Sequence, residues 1–340
     1  MRALRVGGIT APRAWTGRPL GRFARTDCDH NAGGKAKATM LIVFCCDALE
    51  PQSVDRSFGA EAEATDRLGI LNVLVDHDVL MHGEEPGRAV RRVPEQPQPV
   101  LAAYRGWMPT PPRYRLLYEA LATKNIRLIN DPKQYQHGHY LPENYSVIKG
   151  YTPRSVWVTR DLSIDRIMEA VAIFGDAPLV IKDFVKSRKH EWAEACFIAS
   201  ASDRRAVERV VSRFLELQGD DLNEGLVFRE YVEFESIGVH PKSEMPLTEE
   251  YRSFWLDGKP IFMSPYWEEG KYRSTTPTLE PFAEVAGDVR SRLFTMDLAK
   301  RRDGEWMIVE LGDGQVSGLP MESDAGRFYK SLAAAWPEYY

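Results

Sequence analysis

From position 40 onward the chain alternates two apolar patterns. Residues 40–46, MLIVFCC, form an unbroken apolar run of strand length, and 70–76, ILNVLVD, and 100–107, VLAAYRGW, repeat the form. Between them, SVDRSFGAEAEATDRLG at 53–69 turns small and acidic residues outward at helical spacing. YRLLYEALATKN at 114–125 gathers Leu116, Leu117, Ala120 and Leu121 on one helical face, and IRLIN at 126–130 closes the series. Buried strands alternating with helices predict a small parallel α/β domain over residues 40–151. Its expected boundary is an irregular segment, rich in His and Tyr, at 131–152.

The second half, residues 152–340, mixes its elements differently. RSVWVT, APLVIKDFV, ACFIAS and LVFREYVEF read as strands. SIDRIMEAVAIFG reads as a helix with Ser163 as N-cap and Ile164, Ile167, Met168 and Val171 on one face. SDRRAVERVVSRFLELQG reads as a second amphipathic helix ending at Gly219, and KSRKHEWAE as a charged loop. YRSFWLDGKPIFMS and FTMDLAKRRDGEWMIVEL read as hairpins, each turned at Asp-Gly. This order predicts an α+β domain.

Composition narrows the picture. A chain of 340 residues that is 44% hydrophobic buries two or three packed subdomains. Its net charge of −5 argues against a dedicated nucleic-acid binder. Residues 1–39 carry eight Lys and Arg against two Asp and lack periodicity, so a disordered leader is expected there, with Met40 as an alternative start. Cys28, Cys45, Cys46 and Cys196 form no CxxC pair, so neither a zinc knuckle nor a disulfide framework is expected, and a reducing cytoplasm fits. No run of 18 apolar residues is present to span a membrane.

Candidate chemistry concentrates in the second half. If Asp303-Gly304 is a two-residue turn, Arg302 pairs with Glu305 and, farther along, Asp297 pairs with Glu310. Like charges facing each other repel unless a divalent cation lies between them, and Mg²⁺ takes one or two carboxylates plus phosphate oxygens. Asp313 offers a third oxygen. The competing reading is two solvated acids on an open face. On the metal reading, an amide at Asp297 or Glu310 leaves the metal-free protein equally or slightly more stable. Lys182 lies inside an apolar strand and needs an anionic partner, and Lys186, Arg188, Lys189 and His190 follow it, a cluster suited to phosphates or simply a solvated loop. Glu230, Glu233 and Glu235 flank Tyr231 and Val232, whose backbone suits a purine edge, although an ordinary strand with exposed glutamates is the simpler reading of these residues alone. Arg252 pairs with Glu249 and Glu250 or holds a phosphoryl group. There is no GxxxxGK[ST], dinucleotide, zincin or GxSxG motif.

Taken in order, these elements resemble the ATP-grasp fold: the strand lysine, a loop, a helix, an acidic hinge, the arginine strand and two acids on paired strands. More narrowly, AYRGWM, LINDPKQYQHGHYLPENYSVIKGYTPRSVW and the hinge resemble the R2K clade of ATP-grasp proteins, predicted peptide- or amide-bond ligases. The resemblance implies an N-terminal Rossmann-like domain ahead of the ATP-grasp domain. It implies that Lys182 binds the α/β-phosphates of ATP and that Lys186 or Lys189 covers them. Glu230 with the Tyr231–Val232 backbone would read adenine, and Glu233 the ribose. Arg252 would stabilise the transferred phosphoryl group, Asp297 and Glu310 would hold Mg²⁺, and Arg105 would reach the acceptor site. The sequence departs from the family in a loop without glycine and in Glu310-Leu311-Gly312-Asp313 where an acid-x-Asn is usual. The implied activity is an ATP-dependent carboxylate–amine ligase acting on small-molecule or peptide substrates through an acyl phosphate. A kinase on the same fold and an inert nucleotide-binding module are the alternatives.

Overall fold

The protein is described from a computed structural model covering residues 40–83, 85–240, 245–268, 270–272, 276–320 and 323–337. The leader expected over residues 1–39, with Cys28, lies outside these.

The first sheet contains β1 (Leu41–Cys45), β2 (Leu71–Val75), β3 (Val100–Arg105) and β4 (Ile126–Leu128), all parallel, in the order β2-β1-β3-β4. The central strands β1 and β3 are continuous apolar runs of the sequence, as burial on both faces requires, while the edge strand β2 is half-buried. Four helices connect them: α1 (Gly59–Arg67), α2 (His77–His82), α3 (Pro86–Ala89) and α4 (Pro111–Ala122). In α4 the buried face is Tyr114, Leu117, Ala120 and Leu121, close to the expected one.

The segment expected to be irregular is two helices, α5 (Pro132–His139) and α6 (Leu141–Ile148). Asp131 and Gln134 form a capping box around Pro132, which occupies the first turn, where its missing N–H costs nothing.

A second sheet, antiparallel, is built from β5 (Ser155–Thr159), β6 (Leu179–Asp183), β7 (Phe197–Ile198) and β8 (Gly225–Glu230), in the order β5-β8-β6-β7. Helices α7 (Ile164–Val171) and α8 (Arg204–Gln218) pack on it, with Ile167, Val171, Val207, Val210 and Phe214 in one core with β6 and β8. Ser163 holds the N-cap position of α7 without a side-chain cap bond. The charged loop contains a short helical stretch at Lys189–Glu191 and a π-helical turn at Trp192–Cys196.

A small hairpin, β9 (Ser236–Val239) and β10 (Pro246–Thr248), precedes the third sheet. That sheet holds β11 (Glu250–Leu256), β12 (Lys259–Pro265), β13 (Leu293–Lys300) and β14 (Trp306–Asp313), ordered β12-β11-β13-β14 and antiparallel, with α9 (Ala283–Asp288) before β13 and α10 (Ala325–Ala335) after β14. Asp257 and Gly258, with φ of 48° and 74°, make the expected two-residue turn between β11 and β12.

The cores bring these layers together. Phe328, Tyr329 and Leu332 of α10 join Ile42, Phe44 and Leu101 of the parallel sheet to Phe254 and Leu293 of the third sheet. Phe184, just after β6, and Val227 of β8 share a core with Tyr140, Leu141, Phe294, Met296 and Leu311. Among the described residues, no helix is long and apolar enough to cross a membrane.

Candidate active site

The site grows from the β13–β14 hairpin. Arg301 N donates to Glu305 O at 2.8 Å, Gly304 N donates to Arg301 O at 2.9 Å, and Gly304 has φ +93°. The connection is therefore a three-residue loop with glycine in the left-handed region, not the expected two-residue turn. It pairs Lys300 with Trp306 and Leu298 with Ile308, one residue off the expected register. A bulge at Val309 then restores the register, so Asp297 does face Glu310. Arg229, buried, donates from Nη1 to the Val309 carbonyl at 2.6 Å and from Nη2 to Thr152 Oγ1 at 2.7 Å, which fixes the bulge.

The two acids do not stand in unrelieved repulsion. Arg252, opposite Asp297 on β11, donates from Nε to Oδ1 at 2.8 Å and from Nη2 to Oδ2 at 2.7 Å. This bidentate pair takes the place of the pairing with Glu249 and Glu250, one of the two readings the sequence left open for Arg252. Lys182, on β6 of the second sheet, donates from Nζ to Glu310 Oε1 at 2.6 Å. Burial would push the Glu310 carboxyl up, but Lys182, Arg229 and Arg252 outweigh it and hold the carboxyl below its ordinary range. The Lys182 side chain is 7% exposed while that of Glu310 is 38% exposed, so the carboxylate has room for a further ligand. Replacing either acid by its amide thus removes the partner of a cation. For Asp297, whose partner is largely buried, this argues for a less stable metal-free variant rather than the unchanged or stabilised one expected from the sequence.

Both acids line a cavity of about 170 Å³ with Arg252, Lys186, His139, Ser317 and Gly312. Gly312 leaves room for a hydroxyl pair: a Cβ would lie 2.5 Å from Ser317 Oγ and 2.6 Å from Thr295 Oγ1, which hydrogen-bond each other at 2.8 Å, and would force them to turn. Lys189 arrives from the charged loop. Its Nζ lies 4.5 Å from the Trp267 ring centroid, 5.2 Å from that of Tyr266, and 3.4 Å from Tyr266 Oη. Arg252 covers the same Tyr266 ring at 4.8 Å. Burial opposes the Lys189 charge, yet Tyr266, Glu250 and Glu310 leave its pKa raised. Glu250, buried beside them, accepts from Trp267 Nε1 at 3.2 Å, and burial with Asp297 nearby pushes its carboxyl up to about 7.

Lys182 of the second sheet and Arg252 of the third thus each hold one of two carboxylates that face each other on β13 and β14 at the cavity. Residues 173–332 match the ATP-grasp domain of R2K clade family 3. The chain carries an ATP-grasp domain. Solved ATP-grasp structures share the fold across 87% of this chain. D-cycloserine synthetase DcsG is 15% identical with a TM-score of 0.50 over 99% of its own chain. The ATP-grasp ligase PsnB, complexed with a phosphomimetic variant of its minimal precursor, Mg and ADP, is 14% identical with a TM-score of 0.51 over 98% of its chain. N5-carboxyaminoimidazole synthase from Aspergillus clavatus, in complex with ADP and 5-aminoimidazole ribonucleotide, is 9% identical with a TM-score of 0.55 over 77% of its chain. No curated protein matches the sequence.

Other expected site residues of the ATP-grasp domain fall outside the cavity lining. Glu230 ends β8 with its carboxylate 3.6 Å from Arg154. Tyr231 N donates to Pro178 O at 2.9 Å and its ring packs edge-on against Phe197, so its amide is already committed; Val232 follows, half-buried. The Glu233 carboxylate meets Arg302 at 2.6 Å.

Two expectations are corrected. Arg105 does not reach an acceptor site: it is 1% exposed, doubly bonded to Glu61 at 2.8 Å, and donates to Gly314 O and Ser317 O at 2.7 and 2.8 Å. It is a strut between β3 and the loop after β14. Asp313 does not join Asp297 and Glu310. Strand alternation puts it on the opposite face from Glu310, where Asn130 Nδ2 donates to it at 2.6 Å and Gln315 N at 2.9 Å. Burial pushes its carboxyl up to about 7 against those hydrogen bonds. Spacing alone signalled this, since positions three apart on a strand face opposite ways. His139 was missed, although QHGHY marked its segment. Burial pushes its imidazole down to about 4, with Glu310 acting against this and Lys182 and Lys186 with it, so the ring is neutral at pH 7.

Proposed function

We propose that the protein is an ATP-dependent carboxylate–amine ligase that works with Mg-ATP. One observation carries the reading: Asp297 and Glu310 face each other on paired strands, each already holding a cation that suits phosphate.

The donor set fits Mg²⁺. Two hard carboxylates satisfy an ion that takes its remaining oxygens from phosphate and water. Among the described residues no three His, Cys, Asp or Glu side chains gather around one point, so the protein's share is that pair. A bound Mg²⁺ neutralises charge on the phosphates during transfer.

Lys182, which holds Glu310 at 2.6 Å, would contact the α/β-phosphates, and Asp297 with Glu310 would hold the metal. Lys186 lines the cavity and Lys189 stands beside it, so both cover the phosphates. The hinge at Glu230–Glu233 holds adenine and ribose, with Val232 rather than Tyr231 offering the backbone donor. Arg252 stabilises the transferring phosphoryl group, an electrostatic and positioning task. A substrate carboxylate oxygen attacks the γ-phosphorus and ADP leaves. An amine nitrogen then attacks the acyl carbon, phosphate leaves, and the nitrogen gives up a proton, completing an amide. Small-molecule or peptide acids and amines suit this chemistry.

Incubation with Mg-ATP and pools of acids and amines, followed by mass spectrometry, tests the reading. ADP and a condensed product must appear only when both pools are present. A stable phosphorylated product without amine would establish a kinase instead, and binding without ADP formation an inert module.

A further inference from the structure

Several buried polar atoms have no hydrogen-bond partner, among them His137 Nε2, His139 Nε2 and both carboxylate oxygens of Glu249. A buried polar atom without a partner loses its hydration for nothing in return, and each such atom calls for a reason. His139 differs from the others in position: it lines the cavity that holds Asp297, Glu310, Lys186 and Arg252.

The ring is not loosely held. His139 closes α5, stacks on Tyr135 at 5.3 Å and on Tyr140 at 6.2 Å, and is 6% exposed. The following residues pin it further, because Leu141 N donates to Phe184 O at 3.2 Å on the stretch just after Lys182. The fold therefore fixes a neutral imidazole at the wall of an ionic cavity and leaves its Nε2 without a partner. Lys182 and Lys186 are near enough to act on its charge. A neutral N–H beside two ammonium groups suits an anionic oxygen. The lining also holds Arg252 and Asp297, which the ligase reading puts at the transfer end, and none of Glu230–Glu233 is among it.

Building on the ligase reading above, we propose that His139 is a substrate-contacting residue whose Nε2–H donates to an oxygen of the terminal phosphoryl group of ATP. It would then distinguish a nucleoside triphosphate from a diphosphate without adding charge.

Calorimetric titration of the full chain with Mg-ADP and with Mg-AMPPNP tests this. His139→Phe keeps a stacking ring and removes the nitrogen, and His139→Gln restores a donor. The expected result is a loss of roughly tenfold in AMPPNP affinity for His139→Phe, the size of one charge-assisted hydrogen bond, with ADP affinity unchanged and partial recovery in His139→Gln. Equal losses for both nucleotides would overturn the proposal, since packing alone would explain them. Unchanged AMPPNP affinity would overturn it as well. If the wild type bound neither nucleotide, the ligase reading itself would fall, and this contact with it. Wild-type binding with no selective loss in His139→Phe would fell the contact alone.

Discussion

Asp297 and Arg105 look alike in sequence, as charged residues within strand runs, yet the structure uses them differently. Asp297 faces the cavity and holds Arg252 through two bonds of 2.8 and 2.7 Å. Asp297→Asn turns one of these into a contact between two donors, leaving a largely buried guanidinium half-paired. The metal-free variant is expected to lose about 2–3 kcal/mol in urea unfolding; equal or greater stability would mean that repulsion from Glu310 dominates. Arg105 joins Glu61, Gly314 and Ser317, and Tyr329 Oη donates to the same Glu61 at 2.7 Å. Arg105→Met strands a buried carboxylate and should cost about 3–5 kcal/mol, while the folded fraction keeps its nucleotide affinity. A stable variant that had lost nucleotide binding would return Arg105 to the active site. These partnerships were not legible in the sequence. Lys182 and Glu310 are 128 positions apart, and no local pattern tells which buried acid meets which buried base.

Among the elements, continuous apolar runs and amphipathic periods marked the parallel strands, α4 and α8 because burial imposes those periods directly. Helices α5 and α6 were less visible: polar and aromatic residues fill them, and their start is set by the capping box at Asp131 rather than by an apolar stripe. The Asp297–Glu310 register was expected for an incomplete reason. A longer turn moved it by one residue and the Val309 bulge moved it back. The charged loop without glycine is held by aromatic rings instead. The Tyr272 hydroxyl accepts from Tyr266 N and Trp267 N at 2.9 and 2.8 Å and donates to Glu250 O at 2.7 Å, which sets both rings against Lys189. A desolvated cation over such a ring is worth up to about 2 kcal/mol. Trp267→Ala should speed tryptic cleavage at residues 186–189 and weaken nucleotide binding by up to about tenfold. Unchanged cleavage would show that the loop is anchored by other contacts, such as the one from Arg188 Nε to Gln218 Oε1 at 2.8 Å.

For the whole molecule, the parallel sheet and the third sheet share one core through α10, and two acids with raised pKa values lie close to that junction or to the site. Glu250 and Asp313 are held near 7 when folded, against ordinary values of 4.5 and 3.8. Between those limits the folded state binds more protons than the unfolded one, so stability falls as pH rises. Buried His137 and His139, pushed down to about 4, act in the opposite sense below pH 6.5, so the acids set the slope above it. The thermal midpoint of the metal-free protein should decline from pH 6.5 to pH 7.5, and Glu250→Gln should flatten part of the decline. A midpoint that rises over this range, or an unchanged slope in the variant, would mean that Glu250 is already ionised in the folded protein at low pH.

The central claim is that Asp297 and Glu310 hold the metal of a bound Mg-nucleotide and that Glu310 restrains Lys182 until then. Calorimetric titration of ATP into the wild type and Glu310→Gln, with Mg²⁺ and with a chelator, tests it most directly. Metal-free ATP should bind the variant as tightly as the wild type or more so, because Lys182 is released. Mg-ATP should bind the variant at least about tenfold more weakly, the size of one lost metal or charge-assisted contact. The same gain from Mg²⁺ in both proteins would contradict the account.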